Sequence, residues 1–123
     1  GAGLGDRFLG HAERCGAILH LVDGTQAAIA KSYRAVRREL EAYGRGLSEK
    51  PEIVALNKID AIPRAQLAKK RATLERACGR EIFLMSGVSG EGVERVLRAL
   101  ATLVARARGE RSKTRAPAGA WSP

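Results

Sequence analysis

The sequence has few of the residues that mark several classes of protein. Its 123 residues include only two cysteines, Cys15 and Cys78, with no C-x-x-C pairing, which argues against a disulfide scaffold or a zinc ribbon. Aromatic residues make up 4% of the chain, and Trp121 alone does not form a stacking surface for bases. No apolar run approaches the roughly 18–20 residues that a bilayer-spanning helix needs, so we expect no membrane partner.

The amino terminus also lacks the basic-then-apolar leader that is typical of secreted proteins. We therefore expect a cytoplasmic protein in which both cysteines are buried thiols. Hydrophobic residues account for 45% of the chain, which is enough to bury a core. At this length, the composition predicts a single folded domain and excludes wholesale disorder.

Positive charge is in excess, with 22 Lys+Arg against 13 Asp+Glu and a formal net charge of +9. Residues 108–123 mix Gly, Pro, Ser and Ala with basic side chains and show no apolar period. This composition predicts a basic, disordered tail after a folded part that spans residues 1–107. Such a tail suits RNA through nonspecific phosphate contacts, or it only aids solubility, and the sequence leaves both interpretations open.

Three short apolar runs, at residues 17–22, 53–56 and 82–85, predict the strands. Each run is nearly continuous instead of alternating, as in strands that are covered on both faces of a parallel sheet. Helical patterns surround them, at residues 4–14, 29–44, 63–78 and from 93 to about 104. The alternation predicts an α/β fold of three layers, with helices on both faces of a parallel sheet.

The segment Asn57-Lys58-Ile59-Asp60 follows the second predicted strand, where ligands of parallel sheets bind. The Asp60 carboxylate only accepts hydrogen bonds, and guanine presents two adjacent donors, its ring N1–H and its exocyclic amine. Adenine has an acceptor in place of N1–H and would leave Asp60 unpaired. Asn57 suits the other edge of guanine or the tying of neighbouring loops, while the aliphatic stem of Lys58 can lie across the base or sugar.

The segment Ser86-Gly87-Val88 follows the third predicted strand. A small residue at position 87 lets a backbone N–H approach a base carbonyl oxygen, and Ser86 can hold that loop by hydrogen bonding. Ser89 suits the cap of the next helix, and a simple turn with a cap would explain this loop taken alone. Together with residues 57–60, however, it predicts two adjacent loops that converge on one planar base.

These two loops resemble the guanine-recognition motifs of P-loop GTPases, N-K-x-D and the S-A-type loop, with Gly87 where alanine is commoner. The glycine-rich start, residues 1–9, is similar to the end of the signature around switch II in the Obg (CgtA) family. The resemblance covers about residues 1–107 and implies the C-terminal half of a GTPase domain. It further implies GTP and GDP as ligands, GTP hydrolysis with Mg²⁺, a role in large ribosomal subunit assembly through the ribosome or its RNA, and a monomer at full length.

The phosphate-binding half of such a site has no counterpart in the sequence. Neither G-x-x-x-x-G-K-[ST] nor D-x-x-G occurs, and hydrolysis depends on positioning and electrostatic stabilisation around the phosphates. We therefore expect no catalytic residue and no Mg²⁺ ligand in this chain, which would be inactive alone. The ligands of the metal would lie in a missing N-terminal part.

The alternative interpretation is a stand-alone basic module that binds RNA or the ribosome and keeps a vestigial nucleotide pocket. One further residue and one further segment have no chemistry that the sequence assigns. His20, inside the first predicted strand, is expected to lie in the core or at its rim, and Asp23-Gly24-Thr25 is expected to be a turn.

Overall fold

The computed structural model describes Leu9, Ala12 and residues 14–115, with side chains described up to residue 109. Within this part of the chain, three parallel strands form one sheet in the order β1-β2-β3. The strands are β1 (Ile18–Asp23), β2 (Glu52–Asn57) and β3 (Phe83–Leu84).

A helix follows each strand. These helices are α1 (Ile29–Tyr43), α2 (Arg64–Cys78) and α3 (Val93–Arg115). Helix α1 ends at Gly44 and α2 starts directly after Pro63, as the sequence predicts. Proline suits the start of a helix because its missing N–H would have no intrahelical partner there.

The register of the sheet places the carboxyl ends of β1 and β2 side by side. Ile18 is opposite Glu52 and Asp23 is opposite Asn57, while β3 pairs with β2 through only two positions. The predicted third strand, residues 82–85, is therefore longer than the observed one. Met85 still donates its N–H to the Leu56 carbonyl oxygen at 3.0 Å, so the chain stays beside β2 as it enters the next loop.

The helices lie on both faces of the sheet, which confirms the predicted α/β architecture around a parallel sheet. On one face, Val54 and Leu56 of β2 pack with Tyr33 of α1 and Leu74 of α2. On the other face, Ala55 packs with Val96 of α3 and with Met85. Alternate residues of β2 point to opposite faces, so a strand of continuous apolar residues requires a helix on each side.

The last helix departs from the expectation of a disordered tail over residues 108–123. Helix α3 continues to Arg115, so residues 108–115 are helical, and residues 116–123 lie outside the described residues. Its apolar residues between Val93 and Val104 anchor the first turns. The Arg, Glu and Lys residues that follow are favourable helix formers, and this local propensity extends the helix.

Most of the predicted first helix, residues 4–14, lies outside the described residues. Leu9 and Ala12 are helical, and Leu9 packs with Leu40 and Leu47 in a small cluster at one end of α1.

The two cysteines differ in their surroundings. Cys15 is exposed and Cys78 is half-buried. The expectation of two buried thiols is therefore wrong for Cys15, which lies in the bend before β1 and outside the sheet. None of the helices that the structure describes combines the length and the hydrophobicity required to cross a membrane.

Candidate functional site

The candidate site lies at the carboxyl edge of the sheet, where three loops meet. Asp23 ends β1, Asn57 ends β2, and Ser86 follows β3 by two residues. Because the strands are parallel, all three loops leave the sheet at the same edge. The loop after β1 is held to β2 by a hydrogen bond from the Gly24 N–H to the Asn57 carbonyl oxygen at 3.0 Å.

Ser86 connects the two loops that the sequence analysis singled out. Its hydroxyl donates to Oδ1 of Asp60 at 2.6 Å and accepts the Ser89 N–H at 3.0 Å. Ser86 is fully buried, whereas Asp60 is exposed. The buried hydroxyl therefore orients a carboxylate that is itself open to a ligand.

Asn57 makes the second connection. Its Oδ1 accepts the Gly87 N–H at 3.1 Å, and the neighbouring Ile59 N–H donates to the Met85 carbonyl oxygen at 3.2 Å. Of the two roles considered for Asn57, the tying of loops is the one that this geometry shows. The Gly87 N–H was expected to approach a base carbonyl oxygen. In the structure it donates its hydrogen bond to Asn57.

Lys58 points to the loop after β1. It adopts a left-handed backbone conformation, with φ of 64°, and its Nζ lies 3.0 Å from Oδ2 of Asp23. Asp23 also accepts hydrogen bonds from the hydroxyl of Thr25 at 2.6 Å and from its N–H at 2.9 Å. The two bonds from Thr25, followed by the contact with Lys58, lower the pKa of Asp23 to about 2. Asp23 is thus a stable anion that holds the lysine.

Sequence reasoning missed Asp23, although a usable signal was present. Asp23 ends the first predicted strand, and the carboxyl ends of adjacent parallel strands meet at one edge. That placement alone brings it beside the segment that starts at Asn57.

Ile59 and Val88, the apolar members of the two motifs, have opposite surroundings. Ile59 is buried and packs in the main core, where it anchors the motif to the sheet. Val88 is 87% exposed and lies at the rim of the site. Asn57, Asp60, Ser86 and Gly87 thus lie together, joined in two pairs by the Asp60–Ser86 and Asn57–Gly87 hydrogen bonds.

A second polar group lies on the face of the sheet that α1 and α2 cover, toward the other end of β2. Buried Glu52 has its Oε2 3.0 Å from Nδ1 of His20 and accepts a hydrogen bond from the Tyr33 hydroxyl at 3.4 Å. The ring of His20 stacks on that of Tyr33 with centroids 5.0 Å apart. His20 is buried, so of the two expected positions, core or rim, the structure has it in the core, whereas the role of Glu52 was not foreseen.

Arginines complete the surroundings of Glu52. Arg37 and Arg80 place guanidinium nitrogens 3.5 Å and 3.4 Å from its Oε1. Burial by itself raises the pKa of Glu52, but the hydrogen bond with His20 and the charge of Arg37 outweigh it, so the pKa lies below its ordinary value. Glu52 is therefore a buried anion with several partners.

No group of three or more His, Cys, Asp or Glu side chains in the described part of the chain could hold a metal ion. A scan against models of known protein families finds none that matches the sequence.

Proposed function

We propose that this chain is the guanine-recognising part of an Obg-type GTPase. The observation that supports this function best is the direct bonding of the two predicted loops, Ser86 to Asp60 and Gly87 to Asn57. A guanine-specific site needs a fixed carboxylate beside an amide. These contacts provide both at the edge of a parallel sheet where nucleotides are commonly bound.

The carboxylate of Asp60 would accept the ring N1–H and the exocyclic amine of guanine. The hydroxyl of Ser86 occupies one lone pair of Oδ1, and a carboxylate has about four acceptor sites, so about three remain, of which the base needs two. Holding the carboxylate before the base arrives lowers the entropic cost of binding. Adenine would leave this oriented anion facing an acceptor.

Lys58 and Asp23 would form the side wall of the base site. Because Asp23 holds Nζ of Lys58 at 3.0 Å, the aliphatic stem of the lysine is constrained over the loop. Such a stem can cover one face of a planar base while the ammonium group remains solvated and paired.

Hydrolysis of GTP is proposed for the longer protein of which this chain would be a part. The proposed base contacts place no group at a transferring phosphate, and phosphoryl transfer depends on groups positioned there. We therefore propose that this chain binds guanine nucleotides weakly and does not turn them over alone.

Substitution Asp60→Asn provides a test of base recognition. Xanthine carries a carbonyl oxygen where guanine has its amine. The new side-chain amide N–H would therefore donate a hydrogen bond to xanthine, whereas with guanine it would face another donor, which is unfavourable. We expect the original protein to prefer guanosine diphosphate and the variant to bind xanthosine diphosphate roughly tenfold more tightly than guanosine diphosphate. The reason is that one mismatched polar pair costs about 1–3 kcal/mol. Titration followed by amide chemical shifts measures both affinities.

The matched control is Glu81→Gln, which removes the same charge from an exposed side chain outside the proposed base contacts. We expect it to bind both nucleotides like the original chain. An unchanged preference in Asp60→Asn, or no binding of guanosine diphosphate by the unsubstituted protein, would contradict the proposal.

A second candidate function is the binding of RNA, in the ribosome or free, with the nucleotide site as a vestige. The net charge of +9 favours it, because phosphate contacts dominate the affinity of proteins for nucleic acids. A groove that is lined by Arg34, Arg37, Arg38 and Arg80 supports it further.

A further inference from the structure

An arginine-lined groove lies between α1 and the end of α2, away from the candidate nucleotide site. Its volume is about 460 Å³, and its lining includes Arg34, Arg37, Arg38 and Arg80. Glu41 is the one acidic residue of the lining, so four arginines leave a net charge of +3. The floor is less polar, with Tyr33, Ala77 and Cys78.

Two of the arginines are held in place from below. Arg37 donates to the Ser48 carbonyl oxygen at 2.8 Å, and Arg80 donates to the Glu52 carbonyl oxygen at 2.7 Å. Both also contact Oε1 of buried Glu52. Each guanidinium has five N–H donors, so these contacts fix its position and leave donors for a ligand.

The other two arginines are exposed and open to a partner. Arg34 and Arg38 are four residues apart on α1, and residues at this spacing lie on one face of a helix. Neither guanidinium makes an ion pair or hydrogen bond with a residue that the structure describes. The groove therefore combines two anchored cations with two that are available.

We propose that this groove binds the phosphodiester backbone of RNA. Guanidinium groups match phosphate oxygens through paired N–H donors, which favours a phosphate ligand over a simple counter-ion. Tyr33 is buried and stacked on His20, so it offers no free ring to a base. We expect contacts to the backbone that are independent of base sequence and that weaken strongly with salt.

The proposal rests on the RNA-binding part of the proposed function and is separable from guanine recognition. The groove contacts the first residue of β2, Glu52, whereas the candidate nucleotide site starts at its last residue, Asn57. A six-residue strand spans roughly 17 Å between these ends. Loss of one activity therefore need not affect the other, and Asp60→Asn should leave RNA affinity unchanged.

The test is RNA binding by the full chain carrying Arg34→Gln and Arg38→Gln together. Anisotropy of a labelled single-stranded RNA of mixed sequence, measured at several salt concentrations, gives affinity and salt dependence. The plot of log K against log salt has a negative slope, and the loss of two phosphate contacts should make it shallower by about 1.4. Binding at moderate salt should weaken at least about tenfold. Circular dichroism checks that the variant is folded.

The matched control is Arg95→Gln with Arg106→Gln. These two exposed arginines of α3 make the same change in charge, and α3 packs on the opposite face of the sheet. We expect a much smaller loss of affinity. An equal loss in both double variants would show that net charge alone matters, and a larger loss in the control would place RNA on α3. Either result would contradict the proposal that the groove binds RNA.

Cys78 offers a second readout, because it lines the groove while Cys15 does not. Bound RNA should slow alkylation of the Cys78 thiol and leave that of Cys15 unchanged, as measured by peptide mass spectrometry. Protection of Cys78 by inorganic tripolyphosphate or by polyglutamate, but not by RNA, would overturn RNA as the ligand. It would point instead to a small polyphosphate or an acidic peptide.

Discussion

At the scale of single residues, the most consequential side chain is that of Glu52, a buried charge at the first position of β2. Its side chain is 1% exposed, and its partners are His20, Tyr33, Arg37 and Arg80. An isolated carboxylate would not remain ionised there, because removal from water costs several kcal/mol per ion. The partners compensate for that cost and link β1, α1 and the end of α2.

Glu52 predicts a specific acid sensitivity. Its pKa is lower in the folded protein than the ordinary value of 4.5. The unfolded chain therefore binds a proton first as the pH falls. The stabilisation is complete above about pH 4.5 and is lost as the pH falls through the lower, folded-state pKa. Urea unfolding at a series of pH values should show this loss.

The variant Glu52→Gln should remove that part of the pH dependence. At neutral pH we expect it to unfold about 2 kcal/mol more easily. This is less than the roughly 3–5 kcal/mol of a fully buried pair, because solvent screens half-exposed Arg80. Glu81→Gln, at an exposed position, serves as the control. A variant with the acid sensitivity of the original protein would show that another group is responsible.

At the scale of elements, the loop between β3 and α3 depends on one close backbone contact. Gly92 has φ of 75°, and a Cβ built there would lie 2.2 Å from the Leu84 carbonyl oxygen. The neighbouring Gly90 has φ of 86°, but open space surrounds its position. Both glycines relieve backbone strain, and only Gly92 lets α3 start directly against β3.

Comparing Gly92→Ala with Gly90→Ala separates these two effects. Gly90→Ala should cost about 1 kcal/mol, which is the strain of a left-handed alanine. Gly92→Ala adds a clash with backbone that cannot move aside, so we expect about 3 kcal/mol or more, and α3 should separate from the sheet. Chemical denaturation monitored by circular dichroism measures both. Equal losses would mean that the contact with Leu84 relaxes freely.

At the scale of the whole molecule, the important feature is the outer edge of β1, on the side away from β2. β1 is at the end of the strand order, and Leu21 on it is 45% exposed. In the part of the chain that the structure describes, no strand pairs with the outer edge of β1. An unpaired strand edge beside an exposed leucine favours pairing with another chain.

We therefore expect this chain to self-associate as its concentration rises, and Leu21→Lys to reduce that association. A lysine on an edge strand introduces charge repulsion and resists edge-to-edge pairing. Sedimentation velocity at increasing protein concentration measures the effect. Val88→Lys adds the same charge at a more exposed position, in the loop after β3, which β2 separates from β1 in the sheet, and should associate like the original protein. Equal reductions in both variants would rule out the strand edge as the cause.

The sequence by itself determined most of the elements and the chemistry of the loops at the candidate site. Continuous apolar runs and helical stripes are local patterns, so the three strands and helices α1 and α2 could be placed to within a few residues. The boundary of α3 was wrong because favourable helix formers carry a helix past its apolar residues. Asn57, Asp60 and Ser86 could be singled out because each lies at or just after the carboxyl end of a strand in a parallel sheet.

Only the tertiary structure decided which side chains meet across distant parts of the chain. Asp23 and Lys58 are far apart in sequence, as are Arg80 and Glu52, and no local pattern encodes these pairings. Register sets the first pair, and the packing of helices on the sheet sets the second. Buried polar groups must find partners wherever the fold places them. The arginine groove thus exists only once α1, α2 and β2 are packed together.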